Sequence, residues 1–315
     1  HALPRMVREL IQLENASAGS SVGLKPTVCL ANEVFVTDSG REVVSSIFPT
    51  GLLVLAASVR DLCKDLRLHD PSPLRVNGPE GLGNYLDNYA EQLAAHKADV
   101  YGFTAMCRNF PYMLRVMRAL RPMVPEAQIV LGGPHVTLMP SEVLGAFPYI
   151  DVVAVGEGEH TFRELIAAYG SDQLASVKGI VFRRRGNIIA TPSREMMREL
   201  DDCPVPDFSD LPRLSGSSVF SLEVGRGCPK KCTFCSTAVA WGRQYRLKSP
   251  ARIVQEIQHF RSHAAVKCIR FDHDNLAVDR KKFSELVEAL EAADLGDVVW
   301  NCAASVDALD AKIIH

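Results

Sequence analysis

The chain has no apolar run long enough to span a bilayer and no excess of charge of either sign. Its 35 Lys and Arg against 37 Asp and Glu leave a net charge of −2, so neither nucleic acid nor an anionic membrane surface is an expected partner. The first twenty residues lack the basic-then-apolar pattern of a secretory signal. Nine cysteines, an odd number, without such a signal argue against a disulfide framework and for a reducing, cytoplasmic setting. A second pair of cysteines that would close a zinc site is also missing, since Cys268 and Cys302 stand alone on expected strands. What remains is ordinary for a globular protein: 47% hydrophobic and 23% charged residues over 315, enough for about two domains.

The most informative run is Gly225-Arg226-Gly227-Cys228-Pro229-Lys230-Lys231-Cys232-Thr233-Phe234-Cys235. Intervals of three and then two residues put the thiolates of Cys228, Cys232 and Cys235 on one short loop. Three ligands without a fourth suggest a [4Fe–4S] cluster with one iron left open, because full Cys ligation is the usual closure. A redox or scaffold cluster and three unrelated thiols are the alternatives. Val219–Val224 reads as a strand and Ser249-Pro250 opens a helix, so the loop lies at the C-terminal end of a strand, where α/β proteins place their chemistry.

From Thr27 the chain alternates short apolar strands with amphipathic helices. Strands are expected at Thr27–Ala31, Leu66–Leu68, Val100–Phe103, Ile129–Leu131 and Asp151–Val155. Helices are expected near Pro49–Leu62, Glu80–His96, Tyr112–Met123, Ser141–Phe147 and His160–Tyr169. That alternation predicts an α/β fold with a doubly wound parallel sheet in flavodoxin-like order and a ligand crevice at the strand ends. Residues 1–26 read as a polar, partly helical lead-in. Residues 27–175 form the first domain, and 176–216 a hairpin with Arg-Gly-Asn at its turn followed by a proline-rich linker. Residues 217–315 form a second domain with helices at Pro250–Ser262 and Arg280–Ala292, strands at Cys268–Phe271 and Val298–Cys302, and a helix starting at Asp307.

Short motifs sit at the expected strand ends of the first domain: Thr50-Gly51, Thr104-Ala105-Met106-Cys107, Gly132-Gly133-Pro134-His135 and Gly156-Glu157-Gly158. Glycines there let backbone approach a bulky ligand, although βα turns use glycine in any case. His135 is open between ligand contact and a solvated turn. Glu157 is expected to cap its own helix, with ligand contact secondary.

With Phe234 just before the third cysteine, the run resembles the signature of the radical S-adenosylmethionine superfamily. Trp241-Gly242-Arg243 and Lys248-Ser249-Pro250 look like its branch with an N-terminal cobalamin-binding domain. The resemblance implies a flavodoxin-like or Rossmann-like cobalamin domain followed by the start of a six-stranded partial β/α barrel. Three strands cannot close such a barrel, so the chain is expected to be a piece of a longer protein. Three cofactors are implied: a [4Fe–4S] cluster on the three cysteines, S-adenosylmethionine and cobalamin. Phe234 would pack on adenine. Asp272, Asp274 and Asn275, with Ser305 beside the next strand end, would bind the amino group of S-adenosylmethionine, and Arg243 would have a site role. The corrinoid would lie on Glu33, Thr50, Gly51, Thr104, Met106, Cys107, Gly132, Gly133, Pro134, His135, Gly156, Glu157 and Gly158. Where wider B12 families carry a cobalt-ligating DxHxxG, this chain reads Ala31-Asn32-Glu33-Val34-Phe35, so no lower His ligand is expected from that loop.

The expected activity is methylation of an unactivated carbon of a small-molecule or peptide substrate, with an electron donor such as a flavodoxin or ferredoxin. A B12-dependent radical cyclase, ring-rearranging or oxidative enzyme and a non-catalytic corrinoid-binding module are the competing readings.

Overall fold

The computed structural model describes residues 24–37, 42–45, 48–71, 74–75, 78–208, 211 and 217–309, with backbone alone at 42–45 and 74–75. The expected lead-in over the first residues and most of the helix expected from Asp307 lie outside them; a 3-10 turn at Val306–Ala308 is what the described part of that helix contains.

The chain opens with β1 (Thr27–Ala31), the short pair β2 (Val34–Val36) and β3 (Glu42–Ser45), and α1 (Thr50–Val59). Then come β4 (Asp65–His69), β5 (Leu74–Arg75), α2 (Gly78–Ala94), β6 (Val100–Thr104), α3 (Phe110–Leu120) and β7 (Gln128–Gly132). The short helices α4 (Pro134–Thr137) and α5 (Pro140–Ala146) lead to β8 (Val152–Ala154) and α6 (Gly158–Ala167). Strands β4, β1, β6, β7 and β8 lie side by side in that order, all parallel. Numbered along the chain this is 2-1-3-4-5, the flavodoxin-like order expected from the alternation.

The apolar runs are buried on both faces, as a covered parallel sheet requires. Val28, Leu30, Val100, Val130 and Val152 pack toward Leu52 and Ala56 of α1 and Phe162 and Leu165 of α6. Their alternating neighbours Cys29, Ala31, Tyr101, Phe103, Ile129 and Leu131 meet Leu86 and Tyr89 of α2 and Met113 and Met117 of α3.

Two features differ from the expectation. The hairpin β9 (Ile180–Arg184) and β10 (Asn187–Ala190) turns on Arg185 and Gly186, both at positive φ, and β9 pairs antiparallel with β8. The hairpin therefore continues the first sheet. In addition, β2, β3 and β5 form a small antiparallel sheet that was not anticipated, because strands of two to four residues carry too little pattern to read.

The second unit comprises β11 (Val219–Glu223), β12 (Gly225–Arg226), α7 (Thr237–Ala240), β13 (Arg246–Leu247), α8 (Pro250–His263), β14 (Cys268–Asp272), α9 (Arg280–Ala292) and β15 (Val299–Cys302). Strands β11, β14 and β15 are parallel neighbours, while β12 and β13 form a two-residue ribbon around the cysteine loop. Helix α8 starts where the sequence signals it: Pro250 is its first residue and the Ser249 side chain accepts the Arg252 N–H at 3.2 Å.

One apolar cluster joins the two units. Phe220, Leu222, Ile269 and Phe271 of the second sheet pack with Ile253, Ile257 and Phe260 of α8, and the same cluster takes in Phe48 and Leu53 from the first unit. The Phe48 ring lies 5.1 Å from Phe208 and 5.2 Å from Phe220. These contacts turn the C-terminal tips of the first sheet toward the second.

Candidate functional site

A cavity of about 800 Å³ opens where the two sheets meet. Its first wall is built from the C-terminal ends of β1, β6, β7 and β8 and the helix starts that follow them. It contains Glu33, Thr50, Gly51, Thr104, Met106, Gly132, Gly133, Pro134, Gly156, Glu157 and Gly158. The opposite wall presents Ser221 and Glu223 of β11, Arg226, Trp241, and Arg270 and Asp272 of β14. The period of two along β11 and β14 accounts for most of the division: Leu222, Ile269 and Phe271 pack in the apolar cluster, Ser221, Glu223, Arg270 and Asp272 face the cavity, and Phe220 belongs to both.

The first wall suits a bulky ligand with a few polar groups. Gly133 has φ 104°, and a Cβ there would stand 2.7 Å from both Ala105 O and Thr104 Oγ1, so only glycine lets this turn lie so close to the β6 end. Thr50 Oγ1, at the start of α1, is buried with no hydrogen-bond partner among the described residues. Glu33 is 9% exposed and takes a hydrogen bond from Asn109 Nδ2. Burial pushes its carboxyl up to about 7, against the pull of that hydrogen bond.

Two residues expected on this wall do not line the cavity. Cys107 is exposed in the turn before α3. The His135 ring packs on Phe110, centroids 4.5 Å apart. Glu157 does line the cavity, but the capping role expected of it is not observed. It holds the N-cap position of α6, but its side chain makes no capping bond. Its carboxylate instead takes the Met197 N–H at 2.6 Å and lies 3.2 Å from Arg226 Nη1 and 2.8 Å from Arg246 Nη1. Among the described residues Oε2 is hydrogen-bonded by the Met197 N–H, while Oε1 pairs with the two guanidiniums by charge, without a hydrogen bond.

Arg226, two residues before Cys228, is 7% exposed and is gripped by three carboxylates. Its Nη2 lies 2.6 Å from Glu159 and 2.8 Å from Glu223, beside the Glu157 contact of Nη1. Burial would lower its basicity, but Glu223 and Glu159 outweigh that and hold it well above the ordinary arginine value. Burial would likewise push Glu223 up, and Arg226, by charge and hydrogen bond, holds it below the ordinary range. The segment after Gly156 in the first unit is thus ion-paired to the segment before the cysteines in the second. No local pattern marks Glu159, Glu223 and Arg226 as partners of one another; only their placement at strand ends hints at a site.

The cysteine loop follows directly. Gly227 has φ 84°, and a Cβ there would come within 2.0 Å of Gln244 O, so glycine is required where the loop leaves β12. Cys228 is half-buried, Cys232 and Cys235 are exposed, and all three are free thiols. Among the described residues no three His, Cys, Asp or Glu side chains converge as a metal-holding group. Three thiolates on one exposed loop are a donor set that suits iron–sulfur chemistry.

The remaining expected residues surround this loop. Phe234 stands 90% exposed on it. Arg243 donates to the Lys230 carbonyl at 2.7 Å, and Lys230 pairs with Asp307. Asp274 accepts from Thr237 Oγ1 at 3.1 Å. Asn275 and Ser305 exchange two hydrogen bonds of 3.0 Å, joining the ends of β14 and β15. Asp272 reaches the cavity with its carboxyl raised by burial, partly offset by Arg270, whose Nε is 2.8 Å away. Lys248, of the Lys248-Ser249-Pro250 run, is buried in a pair with Glu256 at 2.9 Å.

Comparison with known proteins agrees with this geometry. Residues 37–166 match the B12 binding domain family. The chain is 27% identical over 272 residues to the uncharacterized methyltransferase PH0819 of Pyrococcus horikoshii, covering 84% of this chain and 57% of that protein. It is 31% identical over 223 residues to the anaerobic magnesium-protoporphyrin IX monomethyl ester cyclase of Cereibacter sphaeroides, covering 68% and 36%. In fold it is similar to the radical S-adenosylmethionine methyltransferase TsrM of Kitasatospora setae, solved with cobalamin and a [4Fe–4S] cluster bound. That match has a TM-score of 0.63 at 16% identity, over 86% of this chain and 53% of that one. The chain thus spans less than two thirds of each of these proteins. No helix among its described residues is long and apolar enough to cross a membrane.

Proposed function

We propose, on the premise that this chain is one of the B12-binding radical S-adenosylmethionine proteins, that it is part of a cobalamin-dependent methyltransferase acting on an unactivated carbon of a small molecule or peptide. The observation that carries this reading is the shared cavity: glycine-rich strand ends on one wall, and on the other the strand tips that lead into the three-cysteine loop. When bound, the cluster with S-adenosylmethionine supplies hydrogen abstraction by one-electron chemistry, and the corrinoid supplies the transferable methyl group.

The chain's own residues hold and orient. Gly132-Gly133 and Gly156 bring backbone against the ligand, and Thr50 offers a hydroxyl. Cys228, Cys232 and Cys235 hold the cluster, with Arg243 clasping their loop through the Lys230 carbonyl. Asp272, Asp274 and Asn275 accept hydrogen bonds from an ammonium group. The Arg226 network fixes the distance between the corrinoid turn and the cluster loop, and geometry of this kind is the protein's main contribution when reacting centres must share one cavity. A reducing, cytoplasmic setting and a flavodoxin or ferredoxin as electron donor belong to the same reading.

A second reading, a B12-dependent radical cyclase, is favoured by the 31% identity to the cyclase of Cereibacter sphaeroides. The test begins with iron, sulfide and cobalt analysis of anaerobically reconstituted protein, followed by reduction in the presence of methyl-labelled S-adenosylmethionine. Release of 5′-deoxyadenosine with label in the product supports methyl transfer. Release without label supports the cyclase, and cobalt without release leaves a corrinoid-binding module.

A further inference from the structure

Glu33 stands at the end of β1 on the cavity wall, and its polar neighbours are fixed by the chain around it. Asn109 Oδ1 accepts the Met106 N–H at 2.8 Å, which turns the Asn109 amide NH₂ onto Glu33 Oε2. Asn32 takes the Glu33 backbone N–H on its Oδ1 at 2.9 Å and donates from Nδ2 to Asp70 at 2.7 Å. Tyr89 of α2 donates to the Asn32 carbonyl at 2.6 Å. Among the described residues, the titratable groups these bonds place near this corner are Asp70 and Tyr89, both behind Asn32, and Arg108 lines the same cavity. Burial is the dominant influence on the Glu33 carboxyl.

A buried carboxyl whose hydrogen-bond donor is a neutral amide is more stable uncharged. In the neutral form Oε2, which faces the Asn109 donor, is the carbonyl oxygen, and the proton resides on Oε1. We propose that Glu33 binds the occupant of this cavity as a neutral carboxylic acid, its Oε1–H donating to an amide carbonyl of the kind that fringes a corrin. The inference rests on the B12-binding reading and adds to it a ligand chemistry and a pH dependence. Binding stabilises the protonated form, so affinity is full below about 7 and falls as pH rises through that value.

The test is titration of hydroxocobalamin into the purified apo chain from about pH 6 to about pH 9, using wild type, Glu33→Gln and Glu33→Ala, with Kd read by equilibrium dialysis. In wild type Kd should rise by up to about tenfold per pH unit above about 7, as the loss of one proton dictates. Glu33→Gln keeps a donor and cannot ionise; its Kd should stay pH-independent and within about threefold of wild type at low pH. Glu33→Ala should be weaker by about tenfold at low pH. A flat wild-type profile, Glu33→Gln as weak as Glu33→Ala, or a cobalt spectrum that changes with residue 33 (direct ligation by the carboxylate) would overturn the proposal. The apo chain adds an independent readout: an infrared carboxylic C=O band that disappears with a midpoint near 7 and is missing from Glu33→Gln. That band without any hydroxocobalamin binding would sink the B12-binding reading and leave the neutral acid standing. Absence of the band sinks the neutral acid itself.

Discussion

Replacing Arg226 by Met removes the cation and keeps most of the volume. Glu157 retains Arg246 at 2.8 Å, but Glu159 and Glu223 lose a guanidinium that lies 2.6 and 2.8 Å away. Taking one partner out of a buried ion pair costs about 3–5 kcal/mol, chiefly because the remaining charge is left uncompensated. That loss is not the net worth of the network against an apolar replacement of every member, which is often near zero. At about 2–4 °C per kcal/mol for larger domains, Tm should fall by about 6–20 °C. Calorimetry of the apo chain reads the size, and hydrogen exchange reads the place: amides at 156–159 and 225–228 should lose protection before the centre of the first sheet does.

The pH dependence makes the reasoning harder to satisfy by accident. In wild type Glu223 is held below its ordinary value, so it contributes stability above the unfolded carboxylate range that is lost as pH falls through its folded value. Without Arg226, burial is opposed only by the charges of Lys248 and Arg246, so Glu223 moves up and its charged form becomes a cost that grows as pH rises. Arg226→Met should therefore be closer to wild type near pH 5 than near pH 8. A loss below about 1 kcal/mol, or one equal at both pH values, would refute the claim that these carboxylates depend on Arg226. Arg226→Lys should recover only part, since a single ammonium cannot span three carboxylates as the guanidinium fork does.

Gly133→Ala, with φ 104° and backbone atoms 2.7–2.8 Å from the new Cβ, should cost at least about 1–3 kcal/mol in urea unfolding and lower corrinoid retention. Cys232→Ala, at an exposed loop position, should abolish iron and sulfide incorporation while changing stability by less than about 0.5 kcal/mol and leaving cobalamin binding intact. His273 is buried, and burial pulls it down to about 4. Neutral His273 thus supports the fold above the unfolded value of about 6.5, and up to about 3 kcal/mol is lost as pH falls toward 4. His273→Phe should flatten the acid limb of the stability profile, and an unchanged limb would remove His273 as its cause.

Much of this architecture was legible because it depends on local pattern. Runs such as Val28–Ala31 and Ile129–Leu131 are apolar on both faces, which only a covered parallel sheet tolerates, and the spacing between them fits one helix each. The order of the strands followed, and with it the place of the crevice. The cysteine spacing was equally local. The strands of two to four residues were illegible for the converse reason. β12 and β13 exist because Gly225 lets Arg246 and Leu247 run alongside, a pairing of residues about twenty apart that no periodicity announces.

Glu157 marks the boundary between the two kinds of information. Its position before α6 was read correctly, because the turn Gly156-Glu157-Gly158 ends a strand and starts a helix, and acidic residues favour that end. Its partners were not, because a helix dipole offers about 0.3–1 kcal/mol at most exposed sites, whereas two buried guanidiniums place full charges 2.8 and 3.2 Å from its carboxylate. Those partners, Arg226 and Arg246, lie 69 and 89 positions further on, and the Phe48–Phe220 contact helps to hold the two units together. Side chains whose partners lie across such an interface take their direction from tertiary packing, not from their neighbours in sequence. The same holds for Glu33, whose hydrogen bond to Asn109 spans 76 positions. Both residues lie where the sheets converge on the cavity. Local motifs can therefore locate a composite site of this kind, while its electrostatics stay hidden until the two walls are set against each other.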